Sequence, residues 1–434
     1  MKKILLCTTV LAGFASSAFA AEIAPQSEAM QVSIAGNSKF EGGYIKRDRD
    51  HKNRFSFSPN QSTSAFLTSN KVAIKAQGTS DDVTYGAVVR LQTVANSSNG
   101  MSDTGMDRSH LFVNTDAGSM QAGTNFAASK LLAVDAGSIA AATGGAVDGD
   151  AWSFIDISDR TILGSLVTMN ADTLSNRLDS LGESSRKLTY LSPVISGVQV
   201  GLSYAHDAEN NGAQNFTTEN SARYLGRPVS VKNLFSAGLK FSHSLENDVK
   251  IQLSLTGDMG KTSKRAYDPQ GRQATLTDAS GVKSNVEIAE YTASFNNSER
   301  NDLKSYSVGS VVEYQGFSAA LSYSDDGKSL APKTSNFTSN WWTAGLGYKN
   351  GALATSVTYL NGRKGNKSYA DNETINTYPT VSTKAVSLGA DYAVLPGLTP
   401  FAEVTFVQVK PKRVINGETK QKATVFILGT RAKF

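Results

Sequence analysis

The segment VSIAGNSKFEGGY, residues 32–44, decides the fold class because its side chains alternate in character along the chain. Val32, Ile34, Phe40 and Tyr44 stand at even positions, while small or polar residues fill the odd positions. A period of two is typical of a β-strand with one face in an apolar medium and the other against polar groups. The segment VKIQLSLT, residues 249–256, repeats the pattern. Alternation by itself fits a soluble β-sandwich and a membrane β-barrel equally well.

The lengths of the connections separate these two folds. Short joins such as Gln315-Gly316 alternate strictly with long joins such as 206–233 and 259–303. A sandwich has no reason to keep every short turn at one end, whereas outer-membrane barrels have an even number of antiparallel strands, short periplasmic turns and long outer loops. The sequence therefore predicts an all-β fold, a 16-stranded antiparallel transmembrane β-barrel. The predicted strands are 32–45, 66–78, 82–94, 108–115, 119–124, 185–192, 197–205, 234–244, 249–258, 304–314, 317–324, 340–348, 352–360, 383–394, 399–409 and 421–434.

The first twenty residues predict export. A basic start, Met1-Lys2-Lys3, precedes an apolar stretch at 4–15, and Ala18-Phe19-Ala20 supplies the small-x-small pattern of a cleavage site. The apolar stretch is too short to span a bilayer as a helix. We expect residues 1–20 to be a cleaved signal peptide and residues 21–434 to form the mature barrel, located in the bacterial outer membrane. The sole cysteine, Cys7, lies in the leader.

Composition and motifs argue against several function classes. The formal charge is only +5 and charged residues make up 19% of the chain, so no basic domain indicates nucleic-acid binding. One cysteine excludes a disulfide scaffold or a cysteine-based zinc site. The four histidines, His51, His110, His206 and His243, lack metal-ligand spacing, and no Gly-x-Ser-x-Gly or His-Glu-x-x-His motif occurs. We therefore expect no enzymatic activity, no cofactor, no metal and no nucleic-acid partner.

Five segments together resemble the general Gram-negative porins. They are SNKVAIKA (69–76), YGAVVRLQ (85–92), RSHLFVN (108–114), LTYLSP (188–193) and the terminal LGTRAKF (428–434). The resemblance extends over nearly all of 31–434. It departs at Thr124 and Thr189, where such porins often place arginines. The resemblance implies a homotrimer with one pore in each sixteen-stranded subunit and a third long loop folded inward.

The loop in that position is 125–184, the longest predicted connection. It is rich in acids, and its Ala-Gly run at 136–149 is suited to close packing inside a barrel. A structureless stretch of this length in a compact domain is usually functional. We expect it to be the constriction loop, and an ordinary exposed surface loop remains the alternative.

Strand parity predicts which charges line the constriction. If Val72, Ile74 and Ala76 face lipid, the same strand sends Lys71 and Lys75 into the lumen, and the same parity sends in Lys39 and Arg90 from neighbouring strands. These four residues are predicted to form a basic wall. Asp148 and Asp150, on either side of a glycine in the loop, are the acids predicted to oppose it.

The sequence thus predicts a water-filled channel for passive diffusion of small hydrophilic solutes and ions, whose selectivity comes from pore diameter and rings of charge. The alternative is a barrel that acts mainly as a surface adhesin through its long loops. Phe434 ends the last strand and is predicted to be part of the assembly signal for the barrel-insertion machinery. The expected environment is outer-membrane lipid and lipopolysaccharide; the charged run at 46–54 suits lipopolysaccharide phosphates or a solvated loop.

Overall fold

The computed structural model describes residues 30–49, 63–94, 103–158, 185–208, 229–264, 273–277, 283–287, 301–330, 333, 338–365, 380–411 and 420–434. The predicted leader 1–20, the second part of the predicted constriction loop from 159 onward, and most of the charged run at 46–54 lie outside these residues. No helix within the described part is long and apolar enough to cross a membrane.

Sixteen antiparallel strands form a closed barrel, which confirms the predicted fold class. The barrel strands are β1 (Met30–Arg49), β2 (Ser64–Ser80), β3 (Val83–Val94), β4 (Asp103–Thr115), β5 (Gly118–Thr124), β6 (Arg186–Leu191), β7 (Val198–Asp207), β8 (Val229–Ser244), β9 (Lys250–Lys264), β12 (Leu303–Tyr314), β13 (Phe317–Gly327), β14 (Ser339–Asn350), β15 (Leu353–Gly365), β16 (Thr380–Tyr392), β17 (Leu398–Pro411) and β18 (Gln421–Lys433). Two further strands, β10 (Gln273–Thr277) and β11 (Lys283–Glu287), pair as a separate hairpin.

The alternation of side chains gives the barrel two chemically different faces. Outward positions carry exposed apolar side chains such as Phe66, Leu111 and Leu428, which are 63–75% exposed. The opposite face carries buried hydroxyls and carboxylates such as Thr358 and Glu403, which are 0% and 1% exposed. This division follows from the pleat of a strand, which sends neighbouring side chains to opposite faces.

Tight turns join the strands at one end of the barrel. Between β12 and β13 the turn consists of Gln315 and Gly316, whose φ angles are 46° and 84°. Positive φ at both central residues is the geometry that matches the twist of a two-residue hairpin. We call this end of the barrel the turn end and the opposite end the loop end.

The barrel closes by pairing its first and last strands. The register runs from Asn37 opposite Lys433 to Arg49 opposite Gln421. Phe434 continues this pairing, because its backbone carbonyl accepts from Gly36 N at 2.7 Å and its backbone N–H donates to Gly36 O at 3.1 Å. The Phe434 ring lies directly over Gly36, where an added methyl group would overlap it. The lack of a side chain at Gly36 therefore leaves room for the terminal aromatic ring.

The structure also contains elements that the sequence did not predict. The predicted loop 259–303 contributes six residues to a longer β9 and holds the β10–β11 hairpin. The segment after β5 contains three short helices, α1 (Ala128–Leu132), α2 (Gly145–Asp148) and α3 (Ala151–Ser158), and a 3-10 turn at Ala136–Ile139. These helices have four to eight residues, and helices of this length owe their stability to tertiary packing more than to local propensity.

Candidate functional site

The segment 125–158, which follows β5, lies against the inner wall of the barrel, and we call it the wall loop. Its helix α1 packs on β6–β9, its 3-10 turn on β13–β15, α2 on β15–β17, and α3 on β18 and β1. Only the interior of a closed barrel is in reach of all these strands. The wall loop therefore follows the inner circumference from β6 round to β1. Its packing on β2–β5 is less extensive. The contacts there include Arg108 of β4 over the Phe126 ring, the hydrogen bond from Asn125 to Gln121 of β5, and Leu67 of β2 in the buried apolar cluster.

Backbone N–H groups of the wall loop donate to polar side chains of the wall. The acceptors that β7, β9, β14 and β15 supply are Ser203, Ser254, Thr343, Ser356 and Thr358, at 2.8–3.2 Å from the donating nitrogens. Each buried amide needs such a partner, because an unpaired buried N–H costs about 1–3 kcal/mol. The hydroxyl groups of the wall thus pair the backbone N–H groups of the wall loop, which does not itself join the sheet.

Three charged side chains near the turn end hold the middle of the wall loop. Glu403 of β17 accepts from Thr143 N at 3.1 Å and from the Thr143 hydroxyl at 2.7 Å. Asp391 of β16 accepts from Ala142 N at 3.0 Å, and Arg431 of β18 donates to Ala142 O at 3.1 Å. Arg431 and Asp391 also form an ion pair at 3.5 Å. We call these three wall residues the loop clamp.

Close approach of the backbones also requires glycines in the wall. A methyl group at Gly309 in β12 would overlap the carbonyl oxygen of Val134 in the wall loop. At Gly43 in β1 it would overlap the ring of Phe154. Buried apolar side chains fill the remaining space between the loop and β14–β18, among them Val147 and Trp152. The wall loop therefore packs closely against this side of the lumen, apart from a polar cavity beside β9 and β12–β14.

Two of the predicted constriction residues touch each other. Lys39 Nζ forms an ion pair with Asp150, and it lies 3.5 Å from Oε2 of Glu41, which is 1% exposed. The sequence predicted Lys39 and Asp150 as opposed charges across an opening. In the structure the two side chains contact each other and link β1 to the wall loop, because α3 packs against β1 and β18.

The other predicted basic residues lie on strands outside the main packing of the wall loop. Lys75 shares the inward face of β2 with Lys71, and its Nζ lies 5.1 Å from the centre of the inward Phe112 ring. Arg90 of β3 is 8% exposed and forms a two-pronged ion pair with Asp107, with Nε 2.7 and 2.9 Å from the two carboxylate oxygens. Asp107 was not predicted, since a β-bulge beside Arg90 brings it into reach.

Asp148, the remaining predicted acid, is exposed on the wall loop and borders a polar cavity between the loop and the strands β9, β12, β13 and β14. The same cavity is lined by Asp135, Asp258 and Asp326, with Lys130 as its basic residue. Ser129 donates to Asp258 at 2.8 Å across the gap between loop and wall. Asp148 thus belongs to an acidic region facing β9, β12 and β13, at a different place on the wall loop from the contact between Asp150 and Lys39.

Sequence reasoning missed the loop clamp and Asp107. The alternation of side chains along β17 places Glu403 on the inward face, so its inward position could have been predicted from the sequence. Thr189 stands at a position where such porins often have an arginine. It is 1% exposed, and its hydroxyl lies 2.9 Å from that of Ser203. Within the described residues, no group of three or more histidine, cysteine or acidic side chains is arranged to hold a metal ion.

A family model described as Gram-negative porin matches residues 7–411. The chain belongs to the Gram-negative porin family. The family and the barrel fold together indicate the bacterial outer membrane. Proteins of this family and fold are channels rather than enzymes. The resemblance of the five segments to this family is confirmed.

The chain is also similar to proteins of two rickettsial species and to one solved barrel. Uncharacterized proteins of Rickettsia prowazekii (strain Madrid E) and Rickettsia typhi (strain ATCC VR-144 / Wilmington) are each 28% identical to this porin over the whole of both chains. A loop-deletion mutant of OmpT, an outer membrane protein of Vibrio cholerae, superposes with a TM-score of 0.51 at 11% identity, over 94% of this chain and 100% of that one. At that identity the likeness shows the fold alone.

Proposed function

We propose that this porin forms a water-filled channel through the outer membrane for passive diffusion of small hydrophilic solutes and ions. The observation that carries the proposal is the placement of the wall loop. It packs along the wall from β6 round to β1, while the inward face of β2–β5 stays outside its main packing and bears Lys71, Lys75 and Arg90. Sixteen strands enclose more space than side chains fill, so a one-sided loop narrows the lumen without closing it.

The experiment that tests this function is conductance in a planar bilayer, together with swelling of liposomes in sugars of increasing size. Stepwise, long-lived current increments and a sharp upper limit on sugar size are the expected results. Purified, heat-modifiable protein that inserts and carries no current would overturn the proposal, and adhesion through the long loops would then be the function to test.

We further propose that Lys71, Lys75 and Arg90, with Lys39, form the basic side of the constriction. Its acidic side is proposed to be Asp150 together with Asp148, which lies further round the lumen toward β9, β12 and β13. The contact between Lys39 and Asp150 marks where the two sides meet. Two unit charges about 4 Å apart interact by about 1 kcal/mol in water, and more strongly next to low-dielectric protein. A solute crossing between such sides experiences a transverse field that favours dipolar over apolar molecules.

Neutralising the three basic residues together, as Lys71→Gln, Lys75→Gln and Arg90→Gln, is expected to shift the reversal potential in a KCl gradient toward cation preference. The pair Asp148→Asn and Asp150→Asn is expected to shift it the other way. Both shifts grow at low salt, since the Debye length rises from about 10 Å at 0.1 M to about 30 Å at 0.01 M. Unchanged reversal potentials for both variants at low salt would remove these residues from the constriction.

Phe434 is proposed as part of the signal that the barrel-insertion machinery reads. Its ring is 47% exposed and follows the outward residues of β18 that end at Ala432. Phe434→Ser is expected to lower the amount of heat-modifiable protein in the outer membrane, while Phe434→Tyr keeps it. Equal amounts of folded protein for Phe434→Ser and the wild type, measured by gel shift of isolated membranes, would contradict the role.

We also propose a homotrimer as the functional assembly. One feature that supports it is a polar pair on the outward face of β1 and β2, where the Ser38 hydroxyl donates to Asn70 Oδ1 at 2.6 Å. Polar side chains are costly toward lipid tails and are better placed against another protein surface. The mass of the detergent-solubilised complex, measured by light scattering, tests the assembly. A mass equal to one chain would exclude the trimer.

A further inference from the structure

Lysines surround the turn end of the lumen. They occupy inward positions on five strands. Their orientation is known because each lies on the same face of its strand as a residue that contacts the wall loop or another inward side chain. The five are Lys75 of β2, Lys240 of β8, Lys250 of β9, Lys349 of β14 and Lys433 of β18. All lie within five residues of the turn end of their strand. We call them the lysine collar. Lys187 of β6 and Arg431 of β18 lie at the same level and are set apart, because each donates to a backbone carbonyl of the wall loop.

The inward orientation of the collar is fixed by neighbouring contacts on the same faces. Lys240 is two residues from Gly238, where a side chain would meet Leu132 of the wall loop. Lys349 is two residues from Gly347, which approaches Ile139 O, and Lys433 is two residues from Arg431, which donates to Ala142 O. Because β8, β14 and β18 are well separated round the barrel, the collar encircles the opening rather than marking one side of it.

Few acids compensate the collar. On the inward face at this level, the described strands carry three acids, Glu313 of β12, Asp391 of β16 and Glu403 of β17. Asp391 is paired with Arg431 at 3.5 Å, and Glu403 accepts two hydrogen bonds from Thr143. Within the part of the chain that the structure describes, none of the five lysines is ion-paired with an acidic side chain. The turn end of the lumen therefore has an excess of positive charge.

Acids of the short turns do not cancel this excess inside the lumen. They are Asp81, Asp82, Asp116, Glu246 and Asp248, which are exposed beyond the strand ends. In open water their field is screened within about a Debye length, whereas the collar acts inside a confined passage with low-dielectric walls. Toward the loop end the charge balance changes sign locally, since the cavity beside the wall loop combines Asp135, Asp148, Asp258 and Asp326 with Lys130.

We propose that the lysine collar is a capture zone for small anions at the turn-end mouth and that it makes conduction through the channel directional. This inference rests on the proposed channel function. A positive mouth is enriched in anions. When the loop side is made electrically positive, anions are drawn from this mouth into the rest of the pore and raise its carrier concentration. The opposite polarity draws them out toward the turn side and depletes the pore.

The current–voltage curve of single oriented channels in KCl tests the proposal. We expect the current with the loop side positive to exceed the current at the opposite polarity by at least about 1.5-fold at 0.1 M KCl. The ratio is expected to approach 1 at 1 M KCl, where the Debye length is only about 3 Å. Orientation is read from an Ala117→Cys variant, biotinylated in the exposed turn at 116–117, because streptavidin then perturbs the current from the turn side alone.

Two matched variants separate the collar from total charge. Replacing all five collar lysines by glutamine is expected to bring the ratio to about 1 and shift the channel toward cation preference. The control replaces five exposed lysines of the outward face, Lys46, Lys304, Lys384, Lys410 and Lys422, and is expected to keep the wild-type ratio. Gel shift on heating verifies that each variant has folded.

The outcomes distinguish this inference from the channel function itself. A symmetric wild-type curve at 0.1 M KCl would overturn the directional role while leaving the channel intact. Equal rectification in the collar variant and the wild type would show that other charges cause it and would equally overturn the proposal. Absence of any current from folded protein would instead refute the channel function on which the inference rests.

Discussion

Replacing Glu403 by leucine is expected to detach the middle of the wall loop from β17 and to enlarge the proposed pore. Glu403 is 1% exposed, and its Oε2 accepts both the backbone N–H and the hydroxyl of Thr143. Hydrogen bonds to a charged group contribute roughly 1.5–3 kcal/mol each, so losing both favours release of this segment by about a hundredfold or more. Leucine also leaves both donors of the half-buried Thr143 without this acceptor. Larger conductance and passage of larger sugars in the swelling assay are the expected readouts.

The Glu403 experiment has two useful comparisons. Glu403→Gln keeps the shape and one acceptor oxygen, and it is expected to lie between the wild type and Glu403→Leu. Glu313→Leu removes an inward glutamate that the structure places away from the loop clamp, and it is expected to leave the sugar-size limit unchanged. If Glu403→Leu folds and retains both the wild-type conductance and the wild-type size limit, the clamp does not set the width of the pore.

A methyl group at Gly309 of β12 is expected to push the wall loop away from this strand at Val134. Glycine to alanine in a strand normally stabilises by about 0.5–1 kcal/mol, because alanine loses less conformational entropy on folding. At Gly309 the added carbon would overlap Val134 O, and Val134 N at the same place donates to Ser254 at 3.1 Å. Overpacking of this kind typically costs 1–3 kcal/mol, so about that loss is expected in place of a gain.

The heating temperature at which the Gly309→Ala barrel loses its gel shift, together with its channel noise, measures this effect. We expect a lower transition temperature and noisier open-state current, because the wall loop is no longer seated. Gly105→Ala is the matched control, since a methyl group there meets nothing within 4 Å. A Gly309→Ala barrel that is as stable and as quiet as the Gly105→Ala barrel would show that the loop shifts aside at negligible cost.

The strands could be predicted because their signals are local. Alternation with a period of two and the turn residues between segments are read within ten or twenty positions, and both follow from the pleat and from hairpin geometry. The same parity placed Lys71, Lys75 and Arg90 on the inward face, where the structure has them. The β10–β11 hairpin and the short helices after β5 were not predicted, since neither has a long periodic pattern.

Partners within the site could not be predicted in the same way. Lys39 and Asp150 are 111 positions apart in the chain, and Thr143 and Glu403 are 260 apart. No pattern in either segment indicates the other. Asp107 reaches Arg90 only because a β-bulge shifts the register between β3 and β4.

The sequence by itself determined the number of barrel strands, the two faces of the wall and the parity of the charges that point inward, because each of these depends on the conformation of neighbouring residues. Only the tertiary structure decided the path of the wall loop, the clamp that holds it and the closing of the lysine collar into a ring. Those features depend on barrel closure, which sets β18 beside β1 and brings residues from distant strands to one level. Closure is a property of the whole sheet, since every strand must be paired on both edges before any of these contacts exists.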